Sequence, residues 1–381
     1  MTSGKEKIDT APNRQALILR EARPEDNGQI CAVMRRNAMP GRISLTSDCS
    51  PSFFDAATVE GYRQRAILAE SGREIVGVGL VSARKVFFNG RPTEVGYIGS
   101  VRLDPPYRGK TIVYQGVEVV KQWHEETFGV PFYLCAILGD NTRAQNVLKG
   151  GQGGWPAYRH VGKLYTAALP LIPRPKPAVP PGLRMARGVD VGAGEIAAFL
   201  ERVGREKQFF PVYTAEDIQN DEGVLRGLGL EDFYVVLEKG RIRGVLACWN
   251  QLPFKRILVA GYAGYLRAFR FLVAPFVKAL RLAPIPAPGR PLRNLYAACL
   301  AVEENDPRIF TALLGTALCG RHDTGFFCLL VSLMESDPLL PHLKKYLHFP
   351  TQTDIYAFSW RHPEALDAIE PGISYLEQAS L

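Results

Sequence analysis

Residues 100–113 read Ser-Val-Arg-Leu-Asp-Pro-Pro-Tyr-Arg-Gly-Lys-Thr-Ile-Val, and this segment predicts a strand, a basic turn and a helix in succession. A strand is predicted to end at Leu103, because the two prolines after Asp104 have no amide hydrogen with which to continue its ladder. A helix is predicted from Thr111 to Phe128, where apolar residues recur at helical spacing. The amides at a helix start are unpaired and carry partial positive charge, so the basic turn between the two elements is a candidate anion site.

The residues on either side of this stretch predict a mixed α/β domain. Before it, Asn89-Gly90 is a strong hairpin signal that joins two strands of an antiparallel meander. After it, the continuous apolar run at 131–138 is typical of a buried parallel strand. The predicted elements are strands at 16–22, 65–70, 74–88, 93–103, 131–138 and 159–169, and helices at 24–37, 53–62, 111–128 and 141–149.

Six prolines between residues 170 and 181 mark a domain boundary, because proline at that density excludes both helix and central strand. We expect a disordered tail at 1–15, a first domain at 16–170, a linker at 171–182 and a second domain at 183–381. The second domain repeats the element order of the first, apart from an insertion at 262–291, which suggests an internal duplication. The expected fold class is α/β, with α+β mixed sheets in two tandem domains.

The composition excludes several classes of function. The formal net charge is +8, and most of the excess lies before residue 175, which suits an anionic ligand. No apolar stretch approaches the roughly 20 residues of a membrane span, and the polar start lacks the apolar core of a secretory signal, so we expect a cytoplasmic protein without stable membrane insertion. The cysteines and histidines show no ligand spacing, and no nucleic-acid recognition motif is present, so neither a metal nor a nucleic-acid partner is expected.

The chain resembles the GNAT superfamily of acyl-CoA-dependent N-acyltransferases. The resemblance rests on the element order from Leu17 to Leu169, on the motif Val101-x-Leu103-x-Pro105-x-Tyr107-Arg108-Gly109-Lys110, and on Asn141-x-x-Ala144 after the fifth strand. It implies a splayed parallel pair of strands and acetyl-CoA, or another acyl-CoA, as co-substrate. The corresponding loop of the second domain, at 301–308, is acidic and has no glycine, so that domain is expected to be degenerate and to bind no CoA.

The resemblance also implies which residues bind CoA. In the family, backbone amides of the loop after the fourth strand hold the pyrophosphate, and the strand itself bonds the pantetheine arm. The corresponding residues in this sequence are Val101, Leu103, Arg108, Gly109, Lys110, Thr111, Ile112, Val113 and Asn141. Thr111 and Val113 replace the small residues of the family motif, and their bulk is expected to weaken or shift CoA binding.

Three residues are candidates for acid–base catalysis. Tyr97 falls at the position of the family's glutamate base. Glu94, three residues earlier, would point to the opposite face of a regular strand unless a bulge turned it inward. The family's usual acid is a tyrosine, and Leu148 occupies its place here, so Tyr158 is the candidate substitute, with packing as its alternative role.

The sequence therefore predicts direct transfer of an acetyl or other acyl group from acyl-CoA to a primary amine. The acceptor would be a small-molecule or peptide amine. The alternative is a non-catalytic acyl-CoA-binding or regulatory module. The basic, apolar segment at 262–281 predicts a helix that packs on its own domain or at a homodimer interface, or one that lies on an anionic membrane surface.

Overall fold

A computed structural model describes residues 17–139, 141–149, 155–265, 267–268, 283–322 and 324–381, without the side chains of residues 110, 143 and 147–149. The predicted tail at 1–15, and residues 266 and 269–282 of the predicted insertion, lie outside the described residues. None of the described helices is long and apolar enough to cross a membrane.

The described part of the first half confirms the predicted meander and its flanking helices. Its strands are β1 (Leu17–Glu21), β2 (Ile43–Asp48), β3 (Arg63–Ser71), β4 (Glu74–Phe88), β5 (Arg91–Leu103), β6 (Tyr133–Leu138) and β7 (Ala157–Pro170). Its helices are α1 (Asn27–Arg36), α2 (Phe53–Ala57), α3 (Lys110–Trp123) and α4 (Thr142–Lys149). β4 is buried along nearly all of both faces, whereas the edge strand β1 is only partly buried.

The described part of the second half has a similar order of elements, but its extra strand and additional short helices lie at different places in that order. Its strands are β8 (Leu183–Arg187), β9 (Phe233–Glu238), β10 (Arg241–Trp249), β11 (Arg256–Tyr262), β12 (Asn294–Val302), β13 (Cys328–Met334) and β14 (Phe349–Ser359). Its helices are α5 (Gly188–Val191), α6 (Ala193–Gly204), α7 (Ala215–Gln219), α8 (Pro307–Arg321), α9 (Leu340–Leu343) and α10 (Pro363–Asp367). Sequence patterns did not predict β2 or β11.

Twelve of these strands form one continuous mixed sheet, in the order β1-β3-β4-β5-β6-β14-β7-β13-β12-β10-β9-β8. The halves exchange their last strands: β14 lies between β6 and β7, and β7 lies between β14 and β13. Ile355 of β14 accordingly faces Ala136 on one side and Gly162 on the other. The mixed α/β fold class is therefore confirmed, and the exchange brings the residues after β14 back to the first half.

Each half contains one short parallel strand pair followed by a bulge. β5 pairs with β6 at 96–98, and β12 pairs with β13 at 294–296. Just beyond these pairs, Ser100 and Cys299 adopt left-handed φ angles of 53° and 51°. Each bulge lies beside a register shift, between Val78 and Leu80 in β4 and between Val245 and Ala247 in β10. The bulges bend β5 and β12 away from their parallel neighbours.

A separate two-stranded ribbon of β2 and β11 joins the halves. Its antiparallel register runs from Ile43 opposite Tyr262 to Asp48 opposite Arg256. Arg256 donates a 2.8 Å hydrogen bond to the Ser50 carbonyl oxygen and forms a 2.8 Å ion pair with Asp48. The residues immediately before this ribbon's second strand, including Lys255, are thereby brought next to the first half.

Candidate active site

The site is centred where β5 leaves β6. Past Ile98, β5 continues to Leu103 with β4 on one side and without β6 on the other. The backbone groups on that open edge are free of the parallel ladder, as an extended ligand requires. Val101 is 60% exposed on this stretch, whereas Leu103 is half-buried. The splayed pair implied by the resemblance is present in the structure.

An ion-pair network fixes the turn between β5 and α3. Both carboxylate oxygens of Asp104 accept hydrogen bonds from Arg36 Nε, at 2.9 and 3.0 Å, and Asn37 Nδ2 donates to Oδ1 at 2.7 Å. Arg108 Nε donates to the Leu103 carbonyl oxygen at 2.7 Å, and its Nη2 donates to Asn37 Oδ1 at 3.0 Å. The Arg108 guanidinium therefore stabilises the turn by hydrogen bonds to the end of β5 and to Asn37.

The start of α3 presents backbone rather than side chains. Gly109, which has no side chain to cap the helix, precedes it in an extended conformation. Ile112 is 7% exposed and packs with Ala69 and Val76, and Val113 packs against the same cluster. Thr111 is exposed. The side chain of Val113 is therefore packed on the core and does not lie over the backbone of the turn.

A pocket lies beside Tyr97 on β5. Its walls combine apolar side chains with charged ones. The apolar members are Val86, Val95, Leu134, Phe209 and Leu376, and the polar members include Glu60, Arg84, Tyr97, Glu377 and Ser380. Since Leu376 to Leu381 follow β14 in the chain, the strand exchange is what completes this pocket.

Glu60 is the buried carboxylate of the pocket. It ends the helical turn before β3 and is 3% exposed. Its Oε1 accepts a 3.4 Å hydrogen bond from Ser100 Oγ and lies 3.8 Å from Lys255 Nζ, whereas Oε2 is buried without a hydrogen-bond partner among the described residues. Burial raises the pKa of Glu60, and the positive charge of Lys255 partly offsets that rise.

Lys255 reaches this pocket from the second half. Its ammonium donates a 2.6 Å hydrogen bond to the main-chain oxygen of Leu381, in addition to its ion pair with Glu60. Desolvation lowers the pKa of Lys255, and the negative charge of Glu60 opposes that shift. The pair therefore ties the two halves and the end of the described chain together at one point.

Tyr97 lies alongside Glu60 in the pocket wall. It is 9% exposed, and burial, reinforced by the Glu60 charge, raises its pKa well above the ordinary value. A Cβ at Gly99 would lie 2.5 Å from Tyr97 Cε1 and 3.3 Å from Glu60 Oε2. Only glycine at residue 99 therefore lets the Tyr97 ring and the Glu60 carboxylate approach each other. Because its pKa is raised, the Tyr97 phenol stays protonated at neutral pH.

The other sequence-predicted site residues lie outside this pocket. Glu94 forms a two-pronged ion pair with Arg63, at 3.0 and 2.7 Å, on the opposite face of β5 from Val95 and Tyr97. Tyr158 packs against Trp155 and Phe358, with ring centroids 6.4 and 5.3 Å away.

Asn141 lies away from the pocket and caps α4. Its Oδ1 accepts a 3.1 Å hydrogen bond from the Ala144 amide. A capping side chain of this kind satisfies one of the unpaired amides at a helix start. Asn141 is exposed, and its backbone amide donates a 2.9 Å hydrogen bond to the Leu138 carbonyl oxygen at the end of β6.

Sequence reasoning missed Glu60, Arg84, Lys255 and Glu377. Glu60 lies within a stretch predicted as helix, with no motif around it, and the others are 24, 195 and 317 residues further along the chain. The one usable signal was the apolar context of Arg84 within β4, where a charged side chain interrupts a run of buried residues.

Comparison with known proteins agrees with this geometry. Residues 37–152 match the model of the acetyltransferase (GNAT) family. No curated protein sequence matches the chain significantly. Among solved structures, a GCN5-related N-acetyltransferase from Sphaerobacter thermophilus is 16% identical with a TM-score of 0.55, over 96% of this chain and 99% of that chain.

Two structures of Saccharomyces cerevisiae N-myristoyltransferase with bound myristoyl-CoA are also similar. Each is 10% identical, with TM-scores of 0.56 and 0.58. They cover 94% and 98% of this chain, and 87% and 85% of their own. At these identities the likeness establishes the fold, and it extends over nearly the whole chain.

Proposed function

We propose that the protein is an N-acyltransferase that moves an acyl group from acyl-CoA to a primary amine, since residues 37–152 match the model of the acetyltransferase (GNAT) family. The observation that carries the proposal is the buried Glu60 carboxylate, whose Oε2 has no partner among the described residues and lines the pocket where β5 leaves β6. A buried, unpaired carboxylate oxygen is costly to the fold, which favours a role in binding or proton transfer.

The β5 edge and the start of α3 form the proposed acyl-CoA site. The pantetheine arm would lie along Val101 to Leu103, where β5 lacks a neighbour, and the amides of residues 109–113 would hold the pyrophosphate. Arg108 supports this site by bracing the turn through Leu103 and Asn37. Asn141, which follows β6 and caps α4, is proposed to contribute a hydrogen bond to the pantetheine arm.

Acid–base chemistry follows from the two raised pKa values. The amine nitrogen attacks the thioester carbonyl, a C–N bond forms, and the C–S bond breaks with CoA as leaving group. Glu60 takes the proton that the amine loses, because its raised pKa makes it a stronger base than an exposed carboxylate. Tyr97, held protonated by burial, supplies a proton to the departing sulfur. The products are an amide and free CoA thiol.

The acyl group is proposed to be acetyl. Tyr133 of β6 is fully buried, and its ring fills the space above Gly96, where an added Cβ would lie 2.1 Å from Tyr133 Cδ1. Phe128, Phe358 and Trp360 pack around the same ring. This aromatic cluster leaves little room for a long chain between the two parallel strands.

The test is release of free CoA thiol from acetyl-CoA in the presence of a panel of primary amines. Wild-type protein is expected to release thiol only when a suitable amine is present, and Glu60→Gln is expected to lose most of that rate. If no amine in a broad panel supports thiol release, although acetyl-CoA binds, the alternative of a non-catalytic acyl-CoA-binding module replaces the proposal.

A further inference from the structure

Several buried polar atoms of the pocket have no hydrogen-bond partner in the part of the chain that the structure describes. Three lining side chains have buried polar atoms without a hydrogen-bond partner among the described residues: Glu60 Oε2, Arg84 Nε and Ser380 Oγ. One is an acceptor, one is a donor, and the hydroxyl is both. Buried polar atoms are nearly always paired, so three orphans in one pocket indicate a polar ligand that completes them.

Arg84 is the least satisfied of these groups. It projects from β4, is 8% exposed, and has no carboxylate within ion-pair distance among the described residues. Its guanidinium lies 5.7 Å above the Tyr213 ring, and Nη2 donates to the Tyr213 hydroxyl at 3.4 Å. An almost fully buried guanidinium with one weak partner requires a counter-charge to offset its desolvation.

The two carboxylates of the pocket are engaged elsewhere. Glu60 pairs with Lys255, as described above. Glu377 Oε2 accepts hydrogen bonds from the Cys299 amide and the Tyr375 hydroxyl, each at 2.8 Å. Arg102, close enough to Tyr97 to influence its pKa, also lacks a carboxylate partner within the described part of the chain. Glu60 and Glu377 lie near enough for the Arg84 charge to lower their pKa values, but neither forms an ion pair with its guanidinium.

We infer that the acyl acceptor is a zwitterion, an α-amino acid with an apolar side chain, whose carboxylate binds Arg84 and whose amine faces Glu60. The inference rests on the proposed acyltransferase function and names its substrate class. A carboxylate pairs well with a guanidinium, and Ser380 Oγ can donate a further hydrogen bond. The apolar walls formed by Val86, Val95, Leu134, Phe209 and Leu376 would contact the side chain.

The charges beside the pocket argue against a polycationic acceptor. A large polycationic amine would place several positive charges against Arg84 and Lys255. This favours an acceptor with a single amine and an anion.

The experiment compares matched acceptors in the CoA thiol-release assay. Leucine, phenylalanine and methionine are each tested beside the corresponding amino-acid amide and the decarboxylated amine. We expect kcat/KM to be at least tenfold higher for the amino acids. In Arg84→Gln, KM for the amino acids is expected to rise at least tenfold, with less than a twofold change in KM for the decarboxylated amines. Arg84→Lys, which keeps the charge, is expected to restore part of the preference.

Either of two results overturns the inference. One is equal or faster reaction of the decarboxylated amines with wild-type protein, a comparison that needs no variant to fold. The other is an equal effect of Arg84→Gln on both substrate classes. Both results leave the acyltransferase function intact, whereas absence of thiol release with every amine contradicts the proposed function itself.

Discussion

Lys255 Nζ lies 3.8 Å from Glu60 Oε1, although the two residues belong to different halves of the sheet. Glu60 is almost fully buried, and the Lys255 side chain is 21% exposed. The attraction of the lysine lowers the pKa of the carboxyl, while desolvation raises it, and desolvation is the larger effect. The second half therefore sets the basicity of a carboxylate in the first half's pocket.

Removal of the Glu60 carboxylate should suppress acyl transfer without preventing acyl-CoA binding. General-base catalysis contributes roughly 10²- to 10⁴-fold, so Glu60→Gln is expected to lower kcat by at least about 10²-fold. Acetyl-CoA affinity, measured by calorimetry, should change less than twofold, because Glu60 lies off the β5 edge. A Glu94→Gln variant is the informative comparison: if it alone abolishes turnover, then Glu94, and not Glu60, is the base.

Replacement of Lys255 should move the pH dependence. Glu60 must be ionised to accept a proton, so kcat rises with pH through the raised Glu60 pKa. Since Lys255 lowers that pKa, Lys255→Met raises it further, and the ascending limb should shift to higher pH. The ascending limb is measured with the same amine for the wild type and for Lys255→Met, so that ionisation of the amine affects both profiles equally. Lys176→Met removes the same charge at an exposed residue between β7 and β8, and it should leave the pH profile unchanged. If the ascending limb is not shifted in Lys255→Met, the electrostatic coupling between Lys255 and Glu60 is contradicted.

Tyr97 should act as an acid over the whole working pH range. Burial and the Glu60 charge hold its pKa well above the ordinary value, so no descending limb from Tyr97 is expected below about pH 10. Tyr97→Phe is expected to lower kcat about 10- to 100-fold, with an unchanged affinity for acetyl-CoA. Full activity in Tyr97→Phe would show that water or another group protonates the thiolate.

Two glycines offer a matched test of the packing at the splayed strands. In Gly96→Ala the new methyl would overlap the Tyr133 ring, so the free energy of unfolding should fall by about 1–3 kcal/mol. Gly116 lies within α3 with nothing near its missing Cβ, so Gly116→Ala should raise that free energy by about 0.5–1 kcal/mol. Chemical denaturation measures both. Equal stability in the two variants would mean that Tyr133 does not fill the space above Gly96.

Local patterns predicted the parts of the fold that depend on neighbouring residues. The end of β5 at Leu103, the start of α3 and the hairpin at Asn89-Gly90 all follow from prolines, glycines and apolar spacing, and the structure confirms them. Alternation along β5 also gave the right relation between Tyr97 and Glu94, which lie on opposite faces. The capping role of Asn141 was available from the same rules.

The composition of the pocket could not be predicted in this way. It depends on the exchange of β7 and β14, a choice of partners between strands almost 200 residues apart in sequence. Because of this exchange, residues 376–381 complete a pocket in the first half, and β11 brings Lys255 beside Glu60. Short polar stretches such as Thr58–Glu60 have no periodic signal that reports such distant contacts.

Calorimetric titration with acetyl-CoA tests whether β5 and the start of α3 bind acyl-CoA. Wild-type protein is expected to bind one acetyl-CoA with roughly micromolar affinity, which corresponds to about −8 kcal/mol. Arg108→Glu removes the hydrogen bonds to Leu103 and Asn37 and reverses the charge beside the helix start, so it should weaken binding of acetyl-CoA at least tenfold. Arg241→Glu, a charge reversal on β10, should bind acetyl-CoA like the wild type. No heat of binding with acetyl-CoA or longer acyl-CoAs in the wild type, or equal affinity in Arg108→Glu, would contradict the account.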